Sequence, residues 1–75
     1  MKETVEIIAK ALVDRPDEVV IVETEGDEEI LIELSVNPDD MGKVIGKSGK
    51  IAKAIRSVVK AASAKLDKKV ILEIK

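Results

Sequence analysis

Residues 41–51 read Met41-Gly42-Lys43-Val44-Ile45-Gly46-Lys47-Ser48-Gly49-Lys50-Ile51. An apolar pair, Val44-Ile45, runs into a Gly-x-x-Gly segment, and a new apolar periodicity opens at Ile51. This is the signature of two helices joined by a tight turn. Neither glycine has a Cβ, so the chain can reverse sharply there and a second backbone can come close. The second glycine precedes a long helical pattern. The free N–H groups and positive dipole end of that helix would point back at the turn and form an anion site. Lys43, Lys47, Lys50, Lys53, Arg56 and Lys60 surround it, and no acid occurs between residues 41 and 66. Lys50, Lys53, Arg56 and Lys60 fall at helical spacing along one side of the helix, away from its apolar stripe. The bland reading is a helical turn with a solvated lysine face. The uniform charge around two spaced glycines favours a phosphate-facing surface instead.

Upstream, residues 3–14 predict a helix, because Val5, Ile8, Ala9 and Leu12 recur at i, i+3, i+4 and i+7. Pro16 closes it by biasing Arg15 out of the helical region. Residues 19–24 are β-branched and predict a strand. Residues 25–29 (Glu-Gly-Asp-Glu-Glu) form a polar turn, read as a solvated hairpin tip rather than a calcium loop, whose ligand spacing they do not match. Residues 30–36 predict a second strand with Ile30, Ile32, Leu34 and Val36 on one face. Asn37-Pro38-Asp39-Asp40 is a helix start: Asn37 caps, Pro38 fits the first helical position, and two acids meet the positive dipole end. A short helix follows over 39–45.

Downstream, a long helix is expected over 50–66 with an apolar stripe of Ile51, Ile55, Val58, Val59, Ala62 and Leu66. Residues 70–74 predict a last strand. The order is α-β-β-α-α-β in one domain spanning residues 1–75, with no linker or repeat. The fold class is α+β: a three-stranded mixed sheet with three helices on one face. The expected core is Val5, Ile8, Leu12, Ile30, Ile32, Leu34, Ile51, Ile55, Val58, Ala62, Val70 and Leu72.

Composition removes whole classes of chemistry. With no cysteine there is no disulfide, thiolate metal site or cysteine nucleophile, and with no histidine the commonest general base and metal ligand are gone. The serines therefore have no histidine to activate them, and no catalysis, cofactor or metal is expected. Phe, Trp and Tyr are absent, so bases or cofactor rings cannot stack on an aromatic platform. The longest apolar run, Val19 to Val22, is four residues, far short of a membrane span. The acidic, weakly apolar start predicts an intracellular, cytoplasmic chain. Charge is divided along the chain: residues 1–40 hold 3 basic and 13 acidic residues, net −10, and residues 41–75 hold 10 basic and 2 acidic, net +8. One surface should attract polyanions and another repel them.

Gly42-Lys43-Val44-Ile45-Gly46-Lys47-Ser48 imitates a nucleotide-binding P-loop, but only three residues separate its glycines where four are required. A P-loop also follows a strand directly, whereas a helix start intervenes here. Nucleotide hydrolysis is not expected.

Ile45-Gly46-Lys47-Ser48-Gly49 followed by an amphipathic helix resembles the KH domain, whose hallmark is a Gly-x-x-Gly loop between two helices. The element order resembles the type II form. The whole chain is similar to the small stand-alone bacterial KH proteins of the KhpA type. The resemblance implies an antiparallel pairing of the first two strands and a parallel pairing of the second with the third. It also implies non-catalytic binding of about four nucleotides of single-stranded RNA, or of single-stranded DNA, with the bases in an aliphatic groove. Gly46, Lys47, Ser48 and Gly49 would form the clamp, Lys43, Lys50 and Lys53 would supply flanking charge, and Gly42, Ile45 and Ile51 would line the groove. One departure is Ala52, where many KH domains carry a larger aliphatic residue. The alternative function is a protein–protein module: a homodimer, or a pairing with another KH protein, in which the acidic half of one copy meets the basic half of the other.

Overall fold

The computed structural model describes residues 2–75. Its elements are α1 (Lys2–Leu12), β1 (Val20–Glu25), β2 (Glu29–Ser35), α2 (Met41–Ile45), α3 (Lys50–Ala62) and β3 (Lys69–Ile74). Short 3-10 turns at Pro16–Glu18, Pro38–Asp40 and Lys47–Gly49 join them. The expected order and class hold.

The sheet has the order β1-β2-β3, with β1 antiparallel to β2 and β2 parallel to β3. The hairpin closes through residues 26–28, where the Gly26 N–H donates to the Glu29 carbonyl at 2.7 Å. The alternation seen in the sequence sets the register, with Ile21 opposite Leu34 and Ile32 beside Leu72. These side chains, with Ile30, form the buried face on which the helices pack. Ile32 and Leu34 are fully buried, and each contributes about 1.5–3 kcal/mol relative to exposure. The opposite face of the sheet meets solvent, with Val20 54% and Val22 49% exposed.

Three helical details depart from expectation. Helix α1 ends at Leu12, and its buried residues are Val5 and Ala9, with Ile8 and Leu12 only partly buried at its flank. Helix α3 stops at Ala62 rather than residue 66. Its end is set by Ser63, whose hydroxyl donates to the Lys60 carbonyl at 2.9 Å while Ala64 and Leu66 tighten the chain with i→i+3 bonds. The buried stripe of α3 is Ala52, Ile55 and Val59, continued by Ser63, while Val58 (44% exposed) and Ala62 lie outside it. The helix is therefore rotated from the most apolar phase. Ser63 is tolerated in the core because its hydroxyl is bonded locally. Ile51 and Val70 are partly rather than fully buried, and Val13, Ile21, Val36 and Val44 join the core.

Candidate nucleic-acid interface

The site begins at the start of α2. Asn37 caps as expected, its Oδ1 accepting the Asp39 N–H at 2.8 Å, and the turn that it opens is 3-10 before it becomes α-helical. Asp40 is fully buried, which the sequence did not announce. Its Oδ2 accepts the Arg15 backbone N–H at 3.1 Å, and its Oδ1 accepts the Arg15 guanidinium at 3.3 Å. Lys43 Nζ lies 3.8 Å from Asp40 Oδ1 and is hydrogen-bonded to Asp14. The hydrogen bond to Asp14 chiefly holds the Lys43 ammonium above its ordinary pKa, against desolvation and with help from the charges of Asp14 and Asp40. The connection between α1 and β1 thus moors the first turn of α2.

The Gly46 N–H donates to the Gly42 carbonyl at 2.9 Å and closes α2. The chain then takes three positive φ values within four residues: Gly46 (φ 76°, ψ 174°), Ser48 (φ 57°, ψ 26°) and Gly49 (φ 74°, ψ 14°). The Gly46 conformation belongs essentially to glycine. A Cβ there would also meet the Ile51 side chain, whereas one on Gly49 or Gly42 would meet nothing within 4 Å. Ser48 is the sole non-glycine residue with positive φ among the described residues. Gly49 then caps α3 with no side-chain hydrogen bond, so the first N–H groups of a 13-residue helix have no capping side chain.

Lys47 and Ser48 stand exposed at the tip. Lys47, Lys50, Lys53, Arg56 and Lys60 are exposed and make no ion pair within 4.0 Å among the described residues; Lys43 does. The basic row divides between two flanks of α3. Lys50 borders an apolar crevice facing α1, lined by Ile8, Leu12, Ile51, Ala54, Ile55 and Val58. Arg56 and Lys60 border a larger cleft of about 900 Å³ between α3 and β3, whose apolar lining includes Val59, Leu66, Ile71 and Leu72. Lys53 shares that flank by helical spacing.

The three residues expected to line a groove are not gathered in one cavity. Ile51 packs beneath Gly46 and lines the crevice facing α1, Ile45 is partly buried, and Gly42 is open to solvent. The cleft against β3 was missed in the sequence because residues 70–72 are placed beside α3 by the parallel β2–β3 pairing, while Leu66 joins them from the turn after α3. A chain that alternates strand and helix with a basic helix flank is the signal that could have found it.

The family KhpA/KhpB, KH domain, matches residues 2–74. The chain belongs to this family. The KH domain is 65% identical over 74 residues to the RNA-binding protein KhpA of Clostridium perfringens, covering 99% of both chains. It is 60% identical over 74 residues to the RNA-binding protein KhpA of Clostridium acetobutylicum, again covering 99% of each. The RNA-binding protein KhpA of Aquifex aeolicus is 49% identical over 74 residues, covering 99% of this chain and 94% of its own. No solved structure matches.

Proposed function

We propose that this KH domain binds single-stranded RNA without catalysis, clamping about four nucleotides against the Gly46–Gly49 loop. The observation that carries the reading is the loop itself. Three positive φ values expose its backbone at the uncapped start of α3, and Lys47, Lys50, Lys53, Arg56 and Lys60 flank it without ion pairs among the described residues. The sugar–phosphate chain would lie on Lys47 and Ser48 with Gly46 and Gly49 allowing close approach. Lys50 and Lys53 add charge, and Lys43 can join only by exchanging its carboxylate partners. Gly42, Ile45 and Ile51 remain the nearest aliphatic wall to the loop in sequence, and the cleft against β3 extends the apolar surface available to bases. The relatives named RNA-binding support RNA over DNA. With RNA as its ligand, the domain works in the cytoplasm.

The test is the double substitution of Lys47 and Ser48 by Asp, titrated by fluorescence anisotropy against a short single-stranded RNA and the same sequence as DNA. The parent should bind RNA with a log–log salt slope of about −2 to −3, as expected for three or four neutralised phosphates. The folded double variant should lose binding. A folded variant that binds as the parent does would remove the clamp.

A second reading is pairing with another copy, or with another KH protein. The crevice of Ile8, Leu12, Ile51, Ala54, Ile55 and Val58 favours it, because an apolar strip with Val58 exposed lies between two helices. Sedimentation over a concentration series distinguishes the modes. A dimer that survives high salt and is lost on Val58→Asp would fit the crevice, and one that dissociates at high salt would fit charge pairing. A monomer throughout would remove the homodimer.

A further inference from the structure

Lys43 sits in α2, one turn before Gly46, and the positive potential of the loop would place it among the phosphate-binding cations. Its ammonium is nevertheless occupied. It is hydrogen-bonded to the Asp14 carboxylate and lies 3.8 Å from Asp40 Oδ1. Arg15, between the two acids' elements, holds Asp40 at 3.3 Å and reaches Asp39 Oδ2 at 3.8 Å. The local group is thus Asp14, Asp39 and Asp40 facing Arg15 and Lys43, three negative charges against two positive. The two acids that hold Lys43 differ in kind. Asp40 is fully buried and already accepts two hydrogen bonds from Arg15, so it is a structural partner. Asp14 is 71% exposed, makes no other side-chain bond among the described residues, and lies just beyond the end of α1.

An exposed carboxylate on an exposed lysine presents the same chemistry as a phosphate oxygen on that lysine: a single anionic acceptor in water. We infer that Asp14 is an intramolecular competitor for nucleic-acid phosphate at Lys43, so that the resting domain withholds one cation from its ligand. This rests on the RNA-binding reading above. The exchange is close to balanced, since an exposed ion pair is worth little and one weak surface contact replaces another. The parent therefore gains almost nothing from Lys43, and its affinity is carried by the cations on the α3 side of the loop. Removing the Asp14 charge frees Lys43 to add a contact that the parent lacks.

The experiment compares the parent with Asp14→Asn, Asp14→Ser, Lys43→Gln and the double variant Asp14→Asn/Lys43→Gln, each checked for folding by circular dichroism. Asp17→Asn serves as the charge control, because Asp17 is exposed and has no side-chain partner among the described residues. The probe is one short single-stranded RNA, titrated at several salt concentrations. Both Asp14 variants should bind about two- to fivefold more tightly at low salt, from one added surface contact. Their log–log salt slopes should be more negative than the parent's by about 0.7, one further neutralised phosphate. Lys43→Gln alone should show neither the tighter binding nor the steeper slope, and in the double variant the gain of Asp14→Asn should vanish. The slope and its dependence on Lys43 are readouts that a merely structural Asp14 would not move.

Unchanged affinity and slope in both Asp14 variants would overturn the inference. So would an equal gain in Asp17→Asn, or a gain that survives Lys43→Gln, since either would report net charge alone. The Lys47/Ser48 double-Asp variant, run beside them, keeps the two readings apart. If it still binds while the Asp14 cycle behaves as described, the clamp is misplaced and the competition stands. If the parent binds no RNA, both fail.

Discussion

A Cβ placed on Gly46 would lie 2.5 Å from Cγ1 of Ile51, a distance that side chains do not tolerate. The loop's first glycine is therefore pressed onto the side chain that opens α3, and steric room and backbone conformation impose glycine independently.

Gly46 and Gly49 should respond differently to alanine. Gly46→Ala combines a glycine-only conformation with the collision against Ile51, and should cost about 3 kcal/mol or more in urea unfolding. Gly49→Ala meets open space and should cost only the left-handed backbone penalty, about 1–2 kcal/mol. Gly49→Asn should recover part of that, because Asn tolerates this region. Equal losses at the two glycines would contradict the contact with Ile51.

Ser48 holds φ 57° without being glycine. Ser48→Val should destabilise by more than about 1 kcal/mol, since a β-branched residue is a genuine outlier there. Ser48→Gly should be neutral or slightly stabilising, because relief of strain offsets the entropy of glycine. Thermal melts of the two variants give the comparison, and a valine variant as stable as the glycine one would show that the loop relaxes out of this conformation.

Gly42 offers a way to separate folding from binding. It lies inside α2, and a methyl group added there would meet nothing within 4 Å. Gly42→Ala should stabilise the domain by about 0.5–1 kcal/mol through helix propensity. If the RNA backbone passes over this face, the same methyl group should lower affinity. Greater stability with undiminished binding would take Gly42 out of the interface.

The response to pH should be one-sided near neutrality. The hydrogen bond from Lys43, then its charge, holds the Asp14 carboxyl below its ordinary value of 3.8, and Lys68 does the same for Glu25 relative to 4.5. Such carboxylates bind fewer protons folded than unfolded. Their contribution is present above the ordinary carboxylate range and is lost as pH falls through the lowered folded values. Lys43, bonded to Asp14, and Lys75, bonded to Glu33, are raised above 10.5, so their contribution is present below that value and lost only as pH climbs through the raised ones. With no histidine in the chain, the urea midpoint should be level from about pH 5 to 9 and fall below about pH 4. Asp14→Asn together with Glu25→Gln should make the acid limb shallower. An acid limb as steep as the parent's would remove these pairs as its cause.

The sheet was legible because Ile30, Ile32, Leu34 and Val36 alternate without ambiguity, and one face was bound to be buried. The loop was legible because Gly46 and Gly49 stand between two apolar patterns. The phase of α3 was not. The core positions expected on α3 are Ile51, Ile55, Val58 and Ala62, yet Ala52, Ile55, Val59 and Ser63 are the residues buried. The two faces are centred about 75° apart on the helix, and packing against the rest of the fold, rather than hydropathy, selects between them. The pairing of Lys43 with Asp14, 29 residues away, leaves no trace in local pattern at all. The same holds for the burial of Asp40, which local pattern presents only as an acid at a helix start.

The register between β2 and β3 sets the order in which the binding surface can be assembled. The β1–β2 hairpin closes through three loop residues, whereas Glu29 and its β3 partner Lys69 are separated by the whole of α2, the loop and α3. Closing so long a segment costs more chain entropy than closing the hairpin, and a parallel pair has no local turn to guide it. The hairpin can form in microseconds, while the β3 wall of the cleft must wait until both helices have folded and docked. A chain caught before that step already carries the Gly46–Gly49 turn but has no cleft beside α3, and β2 still offers a bare edge to any other strand it meets.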